Sequence, residues 1–142
     1  MRTRILVAAA GIVLLALSAA GCSGFTKGKE HADRAVAEFH ERFNRGEFEA
    51  LWDTAGEELK RVATREDFTA LLTAVRRKLG DVTGSTNRSW RVGSMGLKTL
   101  VALQQDTTFA TGKAIESFQF VVQDERATLI GYHITSNDLI TR

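Results

Sequence analysis

The sequence predicts an α+β domain: N-terminal helices packed on one face of a curved, antiparallel, four-stranded sheet. Three observations carry that reading. Up to Leu79, apolar residues recur at helical spacing. After Gly80 the period falls to two, among residues that favour strands. The strand-like runs are joined by connections too short for a crossover, so neighbours must run antiparallel. Helices first and strands after, in segregated runs, place the helices together against a sheet. The chain has no proline to interrupt either half.

The first helix is expected from about Glu30 to Asn44. Ala32, Ala35, Val36, Phe39 and Phe43 form one apolar stripe, and Gly46 follows as a stop. A short helix over about 47–54 has Phe48, Leu51 and Trp52 on its apolar side. Leu59 and Val62 suggest a further turn. Thr64 reads as a helix cap, with Glu66 and Asp67 favouring the positive end of the helix dipole. Phe68, Leu71, Leu72, Val75 and Leu79 continue that helix to Gly80. Strands are expected over about 86–92, 99–110, 115–122 and 127–134. Val101, Leu103, Thr107 and Phe109 share one face, as do Phe118, Phe120 and Val122. Thr111-Gly112-Lys113 and Asp124-Glu125-Arg126 are the turn signals between the last three strands, and the last is read as strictly alternating.

The N-terminus carries an address. Arg2 and Arg4 precede an apolar run from Ile5 to Leu17, and Ala19-Ala20-Gly21 leads into Cys22, the single cysteine. The run is shorter than the roughly 20 apolar residues that span a bilayer. Its layout is that of a secretory signal peptide. Ala19-Ala20-Gly21-Cys22 resembles the lipobox of bacterial lipoproteins, with Ala19 in the place of the usual leucine. The resemblance implies diacylglycerol transfer to the Cys22 sulfur and cleavage before it, giving a protein anchored to the bacterial cell envelope. Ser23, rather than Asp, follows the cysteine and implies the outer membrane, facing the periplasm, in a Gram-negative cell. The chain then divides into a signal peptide (1–21), a polar tether (22–29) and one domain (30–142).

Removing residues 1–21 also removes Arg2 and Arg4. The 19 basic residues fall to 17, equal to the 17 acidic ones. A mature chain with no net charge gives no support to nucleic-acid binding.

Gln105-Asp106-Thr107-Thr108-Phe109, Lys113-Ala114-Ile115-Glu116-Ser117 and Ile130-Gly131-Tyr132-His133-Ile134, with the helical half, resemble an uncharacterised family of secreted bacterial proteins. The resemblance covers roughly Asp33 to Ile134. It implies a cystatin-like or nuclear-transport-factor-2-like cone, a fold that hosts enzymes, receptors and scaffolds alike and so leaves function open.

Within such a cone, Trp52, Phe68, Trp90, Asp106, Phe118 and Tyr132 are the candidate pocket residues. Asp106, with Glu116 as the next choice, and Tyr132 are the material for an isomerase- or dehydratase-like site, which needs a carboxylate base and an acidic hydrogen-bond donor. That is thin for catalysis, and the preferred reading is a non-enzymatic module binding a small ligand or an envelope protein. Homodimerisation is a further expectation. His31, His40 and His133 show no metal-ligand spacing; His31 and His40 are read as solvated and His133 as a satisfied strand residue, so neither metal nor cofactor is expected. Arg76, Arg77 and Lys78, with Arg88 and Arg91, read as a solvated helix end before they read as an anionic-surface patch.

Overall fold

In the computed structural model the described residues are 20–141, with side chains from Gly24 onward. The signal-peptide residues 1–19 and the side chain of Cys22 lie outside them. The order is α1 (Ala20–Asn44), α2 (Phe48–Asp53), α3 (Glu57–Val62), α4 (Arg65–Leu79), β1 (Val82–Met95), β2 (Lys98–Phe109), β3 (Gly112–Gln123), β4 (Arg126–Thr135) and α5 (Asn137–Thr141). The chain is therefore α+β, helices followed by an open antiparallel sheet in the order β1-β2-β3-β4.

The local stops behave as their chemistry dictates. Thr64 Oγ1 accepts the Asp67 amide at 3.1 Å and opens α4. Gly46, at φ 72°, closes α1, with the amide of Gly46 bonded to Phe43 O and that of Glu47 to Arg42 O. The start of α1 differs from the sequence expectation. The helix runs back through the segment read as a tether, and Gly28 is buried against β2. A Cβ at Gly28 would come within 3.1 Å of Thr99 Cγ2. The glycine that suggested flexibility instead permits close approach.

β1 is also longer than expected and α5 was not foreseen. The first of these has a plain cause: residues 83–89 are polar or glycine on both sides, so hydrophobic alternation marks only the Trp90 and Val92 part of the strand.

The core lies between the helices and one face of the sheet. Val101, Leu103, Phe109, Phe118 and Phe120 meet Val36, Phe39 and Phe43 of α1, and Phe68, Leu72, Val75 and Leu79 of α4. Asn44 clamps α1 to the sheet: its amide group donates to Val82 O at 2.9 Å and accepts the Val82 amide at 2.8 Å. The Gly56 amide bonds Leu129 O at 2.7 Å, so the α2–α3 link covers part of the β4 edge.

Three register shifts decide which side chains face inward. They lie between Val82 and Gly84, between Asn87 and Ser89, and in β4 opposite Gln119/Phe120. In β4, Leu129 pairs with Phe120, yet Gly131 pairs with Gln119, which leaves Ile130 as the extra residue. Leu129 and Tyr132 therefore share the core face although they are three apart, and the strict alternation expected of this strand is broken.

Candidate functional site

Two polar features stand out, one sealed and one open. The sealed one centres on Glu116, in the middle of β3 and paired with Gln105 of β2 and Ile134 of β4. Its side chain points into the core and the residue is 1% exposed. Thr107 Oγ1 donates to Glu116 Oε2 at 2.6 Å, and His40 Nε2 lies 2.6 Å from the same oxygen. The Tyr132 hydroxyl donates to Oε1 at 2.7 Å. With an ionised carboxylate as acceptor, Nε2 must be the protonated nitrogen of His40.

Burial, then the negative charge of Glu116, then the hydrogen bond to it push the Tyr132 phenol well above its ordinary value of 10. Aromatic rings close the surroundings. Phe118 lies 5.9 Å from the His40 ring and 5.2 Å from the Tyr132 ring, and Phe39 lies 5.0 Å from Tyr132.

A second set of bonds approaches this cluster from the surface. Lys29 Nζ donates to Asp33, Asn87 Nδ2 to Asp33, Gln105 Nε2 to Asn87, and Ser85 Oγ to Gln105 Oε1. Ser85 Oγ then lies 3.4 Å from Thr107 Oγ1. Each hydroxyl has one hydrogen. Ser85 gives its hydrogen to Gln105 and Thr107 gives its own to Glu116, so none remains for the contact between them. The chain of bonds breaks there and is no proton path to Glu116 in this arrangement.

The open feature is a cleft of about 550 Å³ between α1, α2 and the β3–β4 hairpin. Phe39, Leu51, Phe120 and Leu129 give it an apolar floor, and Glu38, Arg42, Asp53 and Arg126 ring it. Arg42 pairs with Glu38 at 2.8 Å, and Asp53 accepts from Arg65 at 2.7 Å. Among the described residues Arg126 forms no ion pair, so it is the rim cation without a bonded carboxylate.

The six residues expected to line a pocket do not share one. Trp52 packs at a tilt against Phe68, ring centres 5.7 Å apart, in the α2–α4 contact. Phe118 is fully buried in the core beside Tyr132. Trp90 is inward in register but 56% exposed near the sheet edge, with Lys29 Nζ 5.6 Å from its ring. Asp106 is on the opposite face and pairs with Arg88 at 2.9 Å in solvent. None of the six lines the 550 Å³ cleft.

His40, read as solvated, is buried, and His133, read as satisfied in the strand, is exposed with Nε2 3.1 Å from Thr135 Oγ1. The basic run at the end of α4, read as a solvated helix end, is in part tied to its neighbours: Arg76 bonds Asn44 O and Asp81, and Lys78 bonds Leu139 O.

Sequence reasoning placed Glu116 second and missed His40. The available signal was spacing: His40 follows Val36 by four and so lies on the apolar stripe of α1. Among the described residues no three His, Cys, Asp or Glu side chains converge as a metal site. No protein-family model, curated protein or solved structure matches the chain.

Proposed function

We propose that the chain is a lipid-anchored protein of the bacterial cell envelope whose domain is a binding module, with the α1–α2–β3–β4 cleft as its ligand site. The N-terminal pattern ending in Cys22 supports the anchor, and with it the envelope location and the resemblance to secreted bacterial proteins. The helices over one sheet face support the cystatin-like, nuclear-transport-factor-2-like cone. The observation that carries the binding reading is the cleft: it is within the size range of small-molecule sites, has an apolar floor, and holds a single unpaired cation at Arg126. Such a site suits a ligand with an apolar body and one anionic group.

The test uses anilinonaphthalene sulfonate, which has that chemistry. Saturable binding that weakens about tenfold in Arg126→Glu and is lost in Ala127→Phe, which fills the cleft, is the expected result. Binding indifferent to both changes would sink the cleft as the site.

A second reading, a small isomerase- or dehydratase-like enzyme, is favoured by the Glu116–Tyr132 pair. Both Glu116 oxygens are already engaged, and neither Glu116 nor Tyr132 lines the cleft, so the binding module is preferred. A substrate whose turnover disappears in Glu116→Gln and in Tyr132→Phe, both still folded, would reverse that preference.

A further inference from the structure

The direction of α1 against the sheet follows from its contacts. Gly28 rests on Thr99 and Val101. Lys29 lies over Trp90, which pairs with Leu103. Asp33 bonds Asn87, which pairs with Gln105, and Asn44 bonds Val82, which pairs with Phe109. α1 therefore runs parallel to β2, and its N-terminal turns extend beyond Thr99 toward the β1–β2 hairpin tip. At about 1.5 Å per residue, position 22 lies roughly 9 Å past Gly28. At about 3.3 Å per residue, Leu97 lies roughly 7 Å past Thr99. The helix start and the hairpin tip reach similar heights at one pole.

That pole carries three exposed large apolar side chains. Leu97 is fully exposed, and Met95 and Phe25 are about half-exposed. Exposed Lys27 and Lys98 flank them. Gly96 has φ 62° and Leu97 does not share that sign, the pattern of a type II′ hairpin, which holds Leu97 at the apex of a tight turn. Asp124 and Glu125, in the neighbouring hairpin turn at the same end of the sheet, are exposed and acidic.

We propose that the Met95–Lys98 tip and the first turns of α1 form a membrane-contacting surface, with Leu97, Met95 and Phe25 entering the interfacial layer and Lys27 and Lys98 meeting anionic headgroups. This rests on the Cys22 anchor reading and deepens it: the lipid holds the chain at the bilayer, and the tip fixes which way the domain faces. Amphipathic surfaces of this composition bind at the headgroup–acyl boundary, and basic residues beside them add attraction to anionic lipid. The acidic β3–β4 turn keeps the contact one-sided, so the domain leans on β1–β2 and α1. The cleft, on the β3–β4 side, is then left open to the aqueous phase.

The test uses the full chain processed in cells and reconstituted in phosphatidylethanolamine–phosphatidylglycerol vesicles containing nitroxide-labelled lipid. Once Cys22 is lipidated, Leu97→Cys supplies a unique thiol for a fluorophore, and Lys113→Cys supplies one at the opposite pole. Quenching at position 97 at least about twofold above that at 113, abolished when Met95→Asp and Phe25→Asp are added, is the expected result. Equal quenching at the two positions overturns the proposal. Metabolic fatty-acid labelling separates this from the anchor reading. If no label enters, the anchor fails, and the tip is judged by whether the unlipidated chain pellets with the same vesicles and Leu97→Asp releases it. Pelleting lost in that variant supports the tip as a membrane contact; no pelleting of the unaltered chain overturns it.

Discussion

Glu116 and Arg126 both belong to the β3–β4 hairpin, ten positions apart, and the fold treats their charges in opposite ways. Glu116 is enclosed, with His40, Thr107 and Tyr132 all directed at its two oxygens. Arg126 stands at the rim of an open cleft with no ion-pair partner among the described residues. A charge surrounded by fixed partners is spent on holding three elements in register, here α1, β2 and β4 around β3. A charge beside apolar floor and water is available to something outside the chain. The sealed centre reads as architecture and the cleft as the place of encounter.

The sharpest way to break this contrast is Glu116→Ala. It removes the shared acceptor and leaves two buried polar groups and the half-buried Tyr132 without it, so urea unfolding should report a loss of about 3–5 kcal/mol. A loss below about 1 kcal/mol would mean the centre is wetter or looser than its geometry. Tyr132→Phe removes one donor only, and the same measurement should give about 1–3 kcal/mol.

Alkali tests the same centre by a different route. The Tyr132 phenol sits well above its ordinary value in the folded protein, chiefly through burial. The folded state therefore holds this proton more tightly than the unfolded chain. Its stabilising effect is complete below about pH 10 and is lost as pH rises above that toward the folded value. Because Tyr132 is the only tyrosine, phenolate absorbance should appear together with unfolding rather than before it. Absorbance that rises while the fold persists would show the hydroxyl to be open to solvent.

Smaller effects belong to the open side of the hairpin. Asp124 and Glu125 both hold positive φ, 51° and 61°, as a type I′ turn requires. Glu125→Gly should relieve this and raise the thermal midpoint, by about 0.5–1 kcal/mol in stability. Arg126→Ala should leave unfolding unchanged while weakening anilinonaphthalene sulfonate binding. If it destabilised the domain instead, Arg126 would be structural and the contrast with Glu116 would collapse.

How much of this was legible beforehand differs between fold and site. Gly46, Thr64 and Gly80 mark helix ends through effects acting within a few residues, and the hairpin turns do the same for the sheet. The pairing of His40 with Glu116 spans 76 positions and leaves no local trace. Asp106 and Glu116 show what alternation did offer: Asp106 is out of step with Val101, Leu103, Thr107 and Phe109 and lies in solvent with Arg88, whereas Glu116 is in step with Phe118, Phe120 and Val122 and lies in the core.

By itself the sequence determined that helices precede four strands, the antiparallel meander and the aromatic, aliphatic face of β2 and β3, because these follow from periodicity and short connections. Tertiary structure alone decided the rest. A single extra residue at Ile130 turns the following part of β4 over, and those at Thr83 and Arg88 do so in β1. The helix packed above then chooses which polar groups are sealed and which face the cleft. Local propensity has no reach over such choices, since they are made by contacts between segments far apart in the chain.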